Sequence, residues 1–254
     1  MIMDANRQNN ENGFRVFRLM RDVGLGNDTE ICQYMDLKYL KSLLDTGNYF
    51  VKRKKLFVDR RERTIPFRLQ FELTPAGSKL TPEQMIRMDE RNRVVNYIEK
   101  ESSLMLTSCW TERITENALM WDRGKERKKV CIKTKIGNFV EAFEDLKFTI
   151  WCGKIFYDSI NPFLISTDII WYKEPFFSDE REIRFYFSAD FSKIMPDISC
   201  NDNKEGVFLP IKKDLLIQEI VLSPYIKKKE AEDIKNTITR THGIKTTLSK
   251  IKLK

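Results

Sequence analysis

The sequence predicts a single α+β domain, with a mixed or antiparallel central sheet and flanking helices. Three observations carry that expectation. Strand-like apolar runs such as "SLMLTSCW", "KFTIWCGKIFY" and "EREIRFYF" are interspersed with segments whose apolar residues recur every three to four positions. A hydrophobic share of 41% over 254 residues is enough for one substantial core. No repeat or low-complexity tract divides the chain, so residues 29–254 are expected to form one domain behind a polar leader over 1–28.

The leader, "MIMDANRQNNENGFR", is rich in Asn and lacks an apolar stretch behind a basic start, which argues against a secretory signal. "EICQYM" then reads as a short strand entering the helix "DLKYLKSLLDTG". Asp36 is its expected N-cap, Leu37, Leu40, Leu43 and Leu44 share one face, and Gly47 stops it. "KRKKLFVDRRER" is so heavily charged that a surface loop is expected. A helical insertion or lid is expected over about 64–100. Its helix is announced by "TPEQ", where Thr81 caps, Pro82 takes the first turn and Gln84 completes a capping box.

Beyond the insertion, "SLMLTSCW" reads as a buried strand, "TENALMW" as a short helix, "KKVCIKT" as a strand, "GNFVEAFEDL" as a helix and "KFTIWCGKIFY" as another strand. An irregular stretch leads to the strand "EREIRFYF". "LIQEIVLSP" gives a buried strand, Ser223 and Pro224 open a last helix that Gly243 closes, and "GIKTTLSKIKL" ends the chain as an edge-like strand with lysines outward.

Composition narrows the chemistry. Cys32, Cys109, Cys131, Cys152 and Cys200 are odd in number and form no CxxC pair, so they read as buried thiols in a reducing, cytoplasmic setting and not as a disulfide or zinc framework. His242 is the only histidine, which removes a multi-histidine metal site and leaves no triad or dyad that does not use that residue. The apolar runs break well short of the ~18 to 20 residues needed to span a bilayer, so no membrane association is expected. Any chemistry must therefore run on carboxylates.

The carboxylates that draw attention lie in "SDEREIRFYF". On a strand, residues two apart share a face, so Glu180, Glu182 and Arg184 would stand in one row, with Ile183 and Phe185 opposite. Such a row is either an exposed ion-pair ladder or a site. The net charge of +8 is also unevenly placed: from Ile211 to Lys254, eleven basic residues face five acidic ones. Lys227, Lys228 and Lys229 at the start of the last helix, with Lys245 and Lys250 after it, form a candidate RNA- or DNA-binding patch.

Four segments, "CQYMDLKYLKSLL", "SCWTERITENALMW", "GKIFYDS" and "KEPFFSDEREIRF", occur in an order that resembles the bacterial and phage family known as domain of unknown function 2971. The resemblance covers about residues 31 to 225. It departs from the family pattern at Gln33, where a basic residue is usual, at Arg60 after Asp59, and at Gly124 and Lys125 after the Met-Trp pair.

More distantly, the element order resembles that of ADP-ribosyltransferases, which implies a sheet split in the manner of that superfamily. By that resemblance Tyr34 or Gln33 would hold NAD, Ser108 or Thr111 would support the site, and Glu182 would bond the nicotinamide ribose. Glu180 would orient or deprotonate the acceptor. Arg184 would hold the glutamates ionised or bind a phosphate, and Trp110, Trp121 and Tyr157 would offer stacking faces. The resemblance thus implies an enzyme that uses NAD as a substrate and modifies a macromolecule, nucleic acid being favoured. It would act as a toxin or phage-defence protein, with an antitoxin or chaperone protein among its partners. Two alternatives stand beside it: a nuclease or nucleic-acid-binding module whose glutamates chelate magnesium, and a non-catalytic interaction protein.

Overall fold

A computed structural model describes residues 8–9, 15–18, 24–53, 81–86, 88–90, 93, 106–124, 126–143, 149–157, 171–187 and 206–252. The first elements fall inside the stretch expected to be a structureless polar leader. Strand β1 (Gln8–Asn9) pairs antiparallel with β2 (Arg15–Arg18), and β2 in turn lies parallel to β7 (Thr149–Lys154). Backbone donors and acceptors extend a sheet edge whatever the side chains are, and polarity alone did not reveal that.

Strand β3 (Glu30–Asp36) runs directly into helix α1 (Leu37–Thr46). The helix follows its sequence signals closely. Leu37, Leu40, Leu43 and Leu44 are buried on one face, and Gly47 closes it with left-handed backbone at φ 68°, donating its N–H to Leu43 O at 2.9 Å. Asp36 is the N-cap by position but makes no side-chain capping bond. The next strand, β4 (Asn48–Arg53), reaches into the charged run expected to be a loop from Lys52, because Tyr49 and Val51 are drawn into the core. In the insertion, the Thr81 capping box forms in both directions: Thr81 N–H donates to Gln84 Oε1 at 2.9 Å, and Gln84 N–H to Thr81 Oγ1 at 3.2 Å. Residues 82–86, 88–90 and 93 are helical; the rest of the expected 64–100 insertion lies outside the described residues.

Strand β5 (Leu106–Thr111) is followed by α2 (Ala118–Asp122), β6 (Lys129–Lys135), α3 (Ile136–Glu141), β7 and β8 (Phe156–Tyr157). Strand β9 (Tyr172–Lys173) pairs with β8 and leads to a 3₁₀ turn over Pro175–Glu180 and to β10 (Glu182–Phe187). The chain finishes with β11 (Gly206–Pro210), α4 (Lys213–Leu216), β12 (Glu219–Leu222), α5 (Lys228–His242) and β13 (Lys245–Leu248). Helix α5 begins at Lys228, later than Ser223 and Pro224 suggested, and Gly243 closes it as expected. The sequence reading assigned neither strand β11 nor helix α4.

Among the described residues one sheet runs β1-β2-β7-β10-β5-β3-β6-β12-β13, mostly antiparallel, with parallel pairs only at β2–β7 and β12–β13. The expected α+β class with a mixed sheet and flanking helices is therefore met. The sheet forks at β5. One side of β5 pairs with β10 along its whole length, from Leu106 to Thr111. On the other side β4 takes only Leu106 and Thr107, β3 takes only Thr111, and Ser108, Cys109 and Trp110 face no strand. Behind the fork sits the core, in which Phe139 of α3 stacks on Phe185 at 3.9 Å and meets Trp110 edge-on at 5.4 Å.

Candidate functional site: a cleft at the fork of the sheet

A cavity of about 1200 Å³ opens at the fork, between β3, α1 and β4 on one side and β5, β10 and the 3₁₀ turn on the other. Its floor is organised by Ser108. Trp110 Nε1 donates to Ser108 Oγ at 2.8 Å, Gln33 Nε2 approaches it at 3.4 Å, and the Tyr49 and Ser108 hydroxyls are 2.5 Å apart. Tyr49 also donates to Gln33 Oε1 at 2.8 Å, so the Ser108 proton is free to go to Tyr49 and every group in the ring is satisfied. Gln33 Nε2 further donates to Cys109 O at 3.1 Å, which gives the unpaired stretch of β5 one of the bonds a neighbouring strand would have made.

One wall carries an alternating chain of charges. Arg184 is fully buried and its Nε donates to Glu182 Oε1 at 2.8 Å. The buried Lys173 ammonium donates to Glu182 Oε2 at 3.1 Å and to Glu180 Oε2 at 2.7 Å, and Arg123 closes the series on Glu180 Oε1. Burial pushes the Glu182 carboxyl up, but Arg184, Lys173 and hydrogen bonds from Arg184 and Cys109 together outweigh it and bring it down to about 2. Glu182 is thus a fixed anion at any physiological pH. The backbone fixes it too: its N–H donates to Tyr157 Oη at 2.6 Å, and its carbonyl accepts from Ile155 N–H at 2.9 Å.

The row of alternate residues expected over Glu180, Glu182 and Arg184 needs one correction. Only Glu182 and Arg184 stand on β10; Glu180 ends the 3₁₀ turn, and Arg181 between the two glutamates adopts left-handed backbone at φ 42°. That conformation is uncommon for a residue with a side chain, and it bends the chain so that Glu180 and Glu182 converge on one lysine. The place between the two carboxylates, where a metal-chelating reading would put magnesium, holds the Lys173 ammonium. Among the described residues no group of three or more His, Cys, Asp or Glu is arranged to hold a metal ion.

The other expected site residues divide into two groups. Gln33, Tyr34, Ser108, Trp110, Thr111, Glu180, Glu182 and Arg184 all line the cleft. Trp110 does so from the core and is almost wholly buried, and Tyr34 accepts from Asn117 N–H at 3.2 Å, with burial raising its hydroxyl pKa well above the ordinary value. Trp121 and Tyr157 do not line it. Trp121 is 1% exposed and packs edge-on against Tyr34 at 4.7 Å, while the Tyr157 hydroxyl serves the Glu182 backbone. Neither offers a stacking face to the cleft. Lys227, Lys228, Lys229, Lys245 and Lys250 are exposed on α5 and around β13, at the far edge of the sheet, and do not line the cleft either.

Sequence reading missed Tyr49, Arg123 and Lys129, and gave Lys173 no firm place. Tyr49 sits in a strand hidden by the charge that follows it, and Arg123 and Lys173 reach the glutamates from other elements. Lys129 is buried at the cleft, its Nζ donating to Trp121 O at 2.9 Å, and burial lowers its pKa. In all, six basic side chains of the cleft (Lys38, Lys52, Arg123, Lys129, Lys173, Arg184) outnumber its three carboxylates (Asp36, Glu180, Glu182), which suits an anionic ligand. A deep cleft of this size with convergent polar groups is where a ligand site is expected.

The four cysteines among the described residues have free thiols, and no helix there is long and apolar enough to cross a membrane. No family model matches the chain, and no curated protein is similar to it.

Proposed function

We propose that the chain transfers ADP-ribose from NAD to a macromolecule at the forked cleft. The observation that carries this reading is Glu182, an ionised carboxylate fixed on β10 and lining the same cleft as Gln33, Tyr34 and the Ser108 network. Breaking the bond between nicotinamide and ribose builds positive charge on the ribose, and a preorganised carboxylate beside it stabilises that charge. A carboxyl this acidic is a poor proton acceptor, so Glu182 suits electrostatic stabilisation and not general-base work.

In the balanced step, the C1′–N bond breaks and nicotinamide leaves with the bonding pair. A bond forms from C1′ to an acceptor oxygen or nitrogen, and the acceptor's proton passes to Glu180 and then to water. Glu180 Oε1 takes that proton when the half-exposed Arg123 swings away, while Oε2 stays on Lys173. The excess of basic side chains suits the NAD pyrophosphate. The resemblance to the domain of unknown function 2971 family, and with it a role as a toxin or phage-defence protein kept in check by an antitoxin or chaperone, belongs to the same proposal.

The test is nicotinamide release from NAD, measured per folded molecule because Glu182 sits between two buried cations. Glu182→Gln is expected to lower the rate ~10²-fold or more. Glu180→Gln should spare NAD hydrolysis more than transfer to an acceptor. A parent protein that leaves NAD intact with RNA, DNA and protein acceptors present, or a fully active Glu182→Gln variant, overturns the reading.

A further inference from the structure

The side of the cleft opposite the charge chain has an order of its own. Strands β4 and β11 pair antiparallel with Phe50 opposite Phe208 and Lys52 opposite Gly206, so Phe50, Lys52 and Phe208 share one face, and all three line the cleft. The two rings lie 4.9 Å apart. Gly206 makes this possible: a Cβ there would come within 2.6 Å of the Phe50 ring and 2.3 Å of Val51 O, so the ring rests directly on the bare backbone. Beside them on α1 stands Tyr39, 52% exposed, with the Lys38 ammonium 5.1 Å from its ring centre.

We infer that this wall is a binding track for single-stranded nucleic acid, with unpaired bases stacking on Phe208 and Tyr39 and phosphates held by Lys38 and Lys52. Aromatic faces interleaved with cations are what an unpaired strand needs, since every base has a face to stack and every linkage a negative charge. Exposure separates this from a small-ligand pocket. A bound small molecule is mostly enclosed, whereas Phe208 is 37% exposed, Tyr39 52% and the Lys38 side chain 61%, so these groups sit at the rim, where a polymer can pass. A base stacked at this rim lies over the cleft that holds Glu180 and Glu182. That the strand is the acceptor of ADP-ribose rests on the transfer reading; that it binds here does not.

The track is distinct from the lysines of α5 and β13 at the far edge of the sheet, and the experiment separates the two. Binding of a labelled single-stranded oligonucleotide to the full chain is followed by fluorescence anisotropy without NAD, over a range of salt. Phe208→Ala is expected to weaken binding about tenfold or more without changing its salt dependence, and Phe208→Trp, which keeps a stacking face, to restore it. Lys52→Gln should weaken binding and flatten the salt slope by about one.

The inference is overturned if the parent binds no oligonucleotide, if it binds duplex as well as single strand, or if Phe208→Ala binds like the parent. It is also overturned if only Lys227→Gln/Lys228→Gln/Lys229→Gln loses binding, or if NAD displaces the strand completely, which would make the wall the donor's adenine site. Nicotinamide release without strand binding removes this inference and leaves the transferase reading intact. Strand binding by a protein that never cleaves NAD does the reverse.

Discussion

Replacing Lys173 with methionine tests the electrostatic design of the cleft most directly, because one buried ammonium serves two buried carboxylates. Its Nζ lies 2.7 Å from Glu180 and 3.1 Å from Glu182, and its side chain is 7% exposed. Methionine matches the stem and removes the charge. Taking one member out of a buried ion pair costs about 3–5 kcal/mol, and we expect the lower end, ~3 kcal/mol, because Arg184 still serves Glu182 and Arg123 still serves Glu180.

The pH dependence gives the argument a sign. In the parent, Glu182 is brought from its ordinary 4.5 to about 2, which corresponds to roughly 3 kcal/mol of stability at neutral pH. Because the folded value lies below the unfolded one, that stability is fully present above pH 4.5 and is lost as the pH falls from 4.5 towards 2. In Lys173→Met one of the opposing cations is gone, the Glu182 carboxyl titrates higher, and less stability remains to be lost. The gap between parent and variant should therefore be widest at pH 7 and shrink below pH 4.5. Urea unfolding followed by tryptophan fluorescence at pH 7, 5.5, 4 and 3 measures it. A gap under about 1 kcal/mol at pH 7, or one that does not change with pH, would refute the reasoning.

Two further substitutions probe the floor and the rim. Ser108→Ala removes the hydroxyl that Trp110, Gln33 and Tyr49 share, leaving buried polar groups short of a partner, and should cost about 1–3 kcal/mol, read as a lower Tm. Gly206→Ala places a methyl against Val51 O and the Phe50 ring and should also cost about 1–3 kcal/mol, with a change in the near-ultraviolet dichroism of the aromatic pair. A parent-like Tm for Gly206→Ala would mean that the ring has room to move.

Local signals were legible where they were strong. The leucine face of α1, its glycine stop and the Thr81 capping box each depend on residues within a few positions of one another, and each formed as the pattern required. The glutamate pair was legible as chemistry but not as geometry. Period-two reasoning placed Glu180 on the strand, whereas the left-handed Arg181 breaks the period and Lys173, seven residues earlier, gathers the two carboxylates. Tyr49 and Arg123 were illegible because their partners are distant: Tyr49 meets Ser108 59 residues on, and Arg123 meets Glu180 57 residues on. Strand β11 was passed over for the same reason, since its pairing with β4 spans most of the chain and the apolar run between Gly206 and Pro210 is only three residues long.

The fork at β5 also sets when the cleft can be completed during synthesis. Strand β5 is complete at Thr111, but β10, its only full-length partner, begins at Glu182. At about 5–20 residues per second the ribosome needs roughly 4 to 14 s to cover that interval. Through that time β4 and β3 can already take Leu106, Thr107 and Thr111, but the β10 edge of β5 stays open and the charge chain of the cleft is incomplete. Strand β3 must likewise wait for β6, about a hundred residues downstream. Long-range pairing of this kind slows folding and leaves unpaired strand edges open to other chains. The cleft is thus completed late in translation, and the chain is most in need of protection while one edge of its central strand is still open.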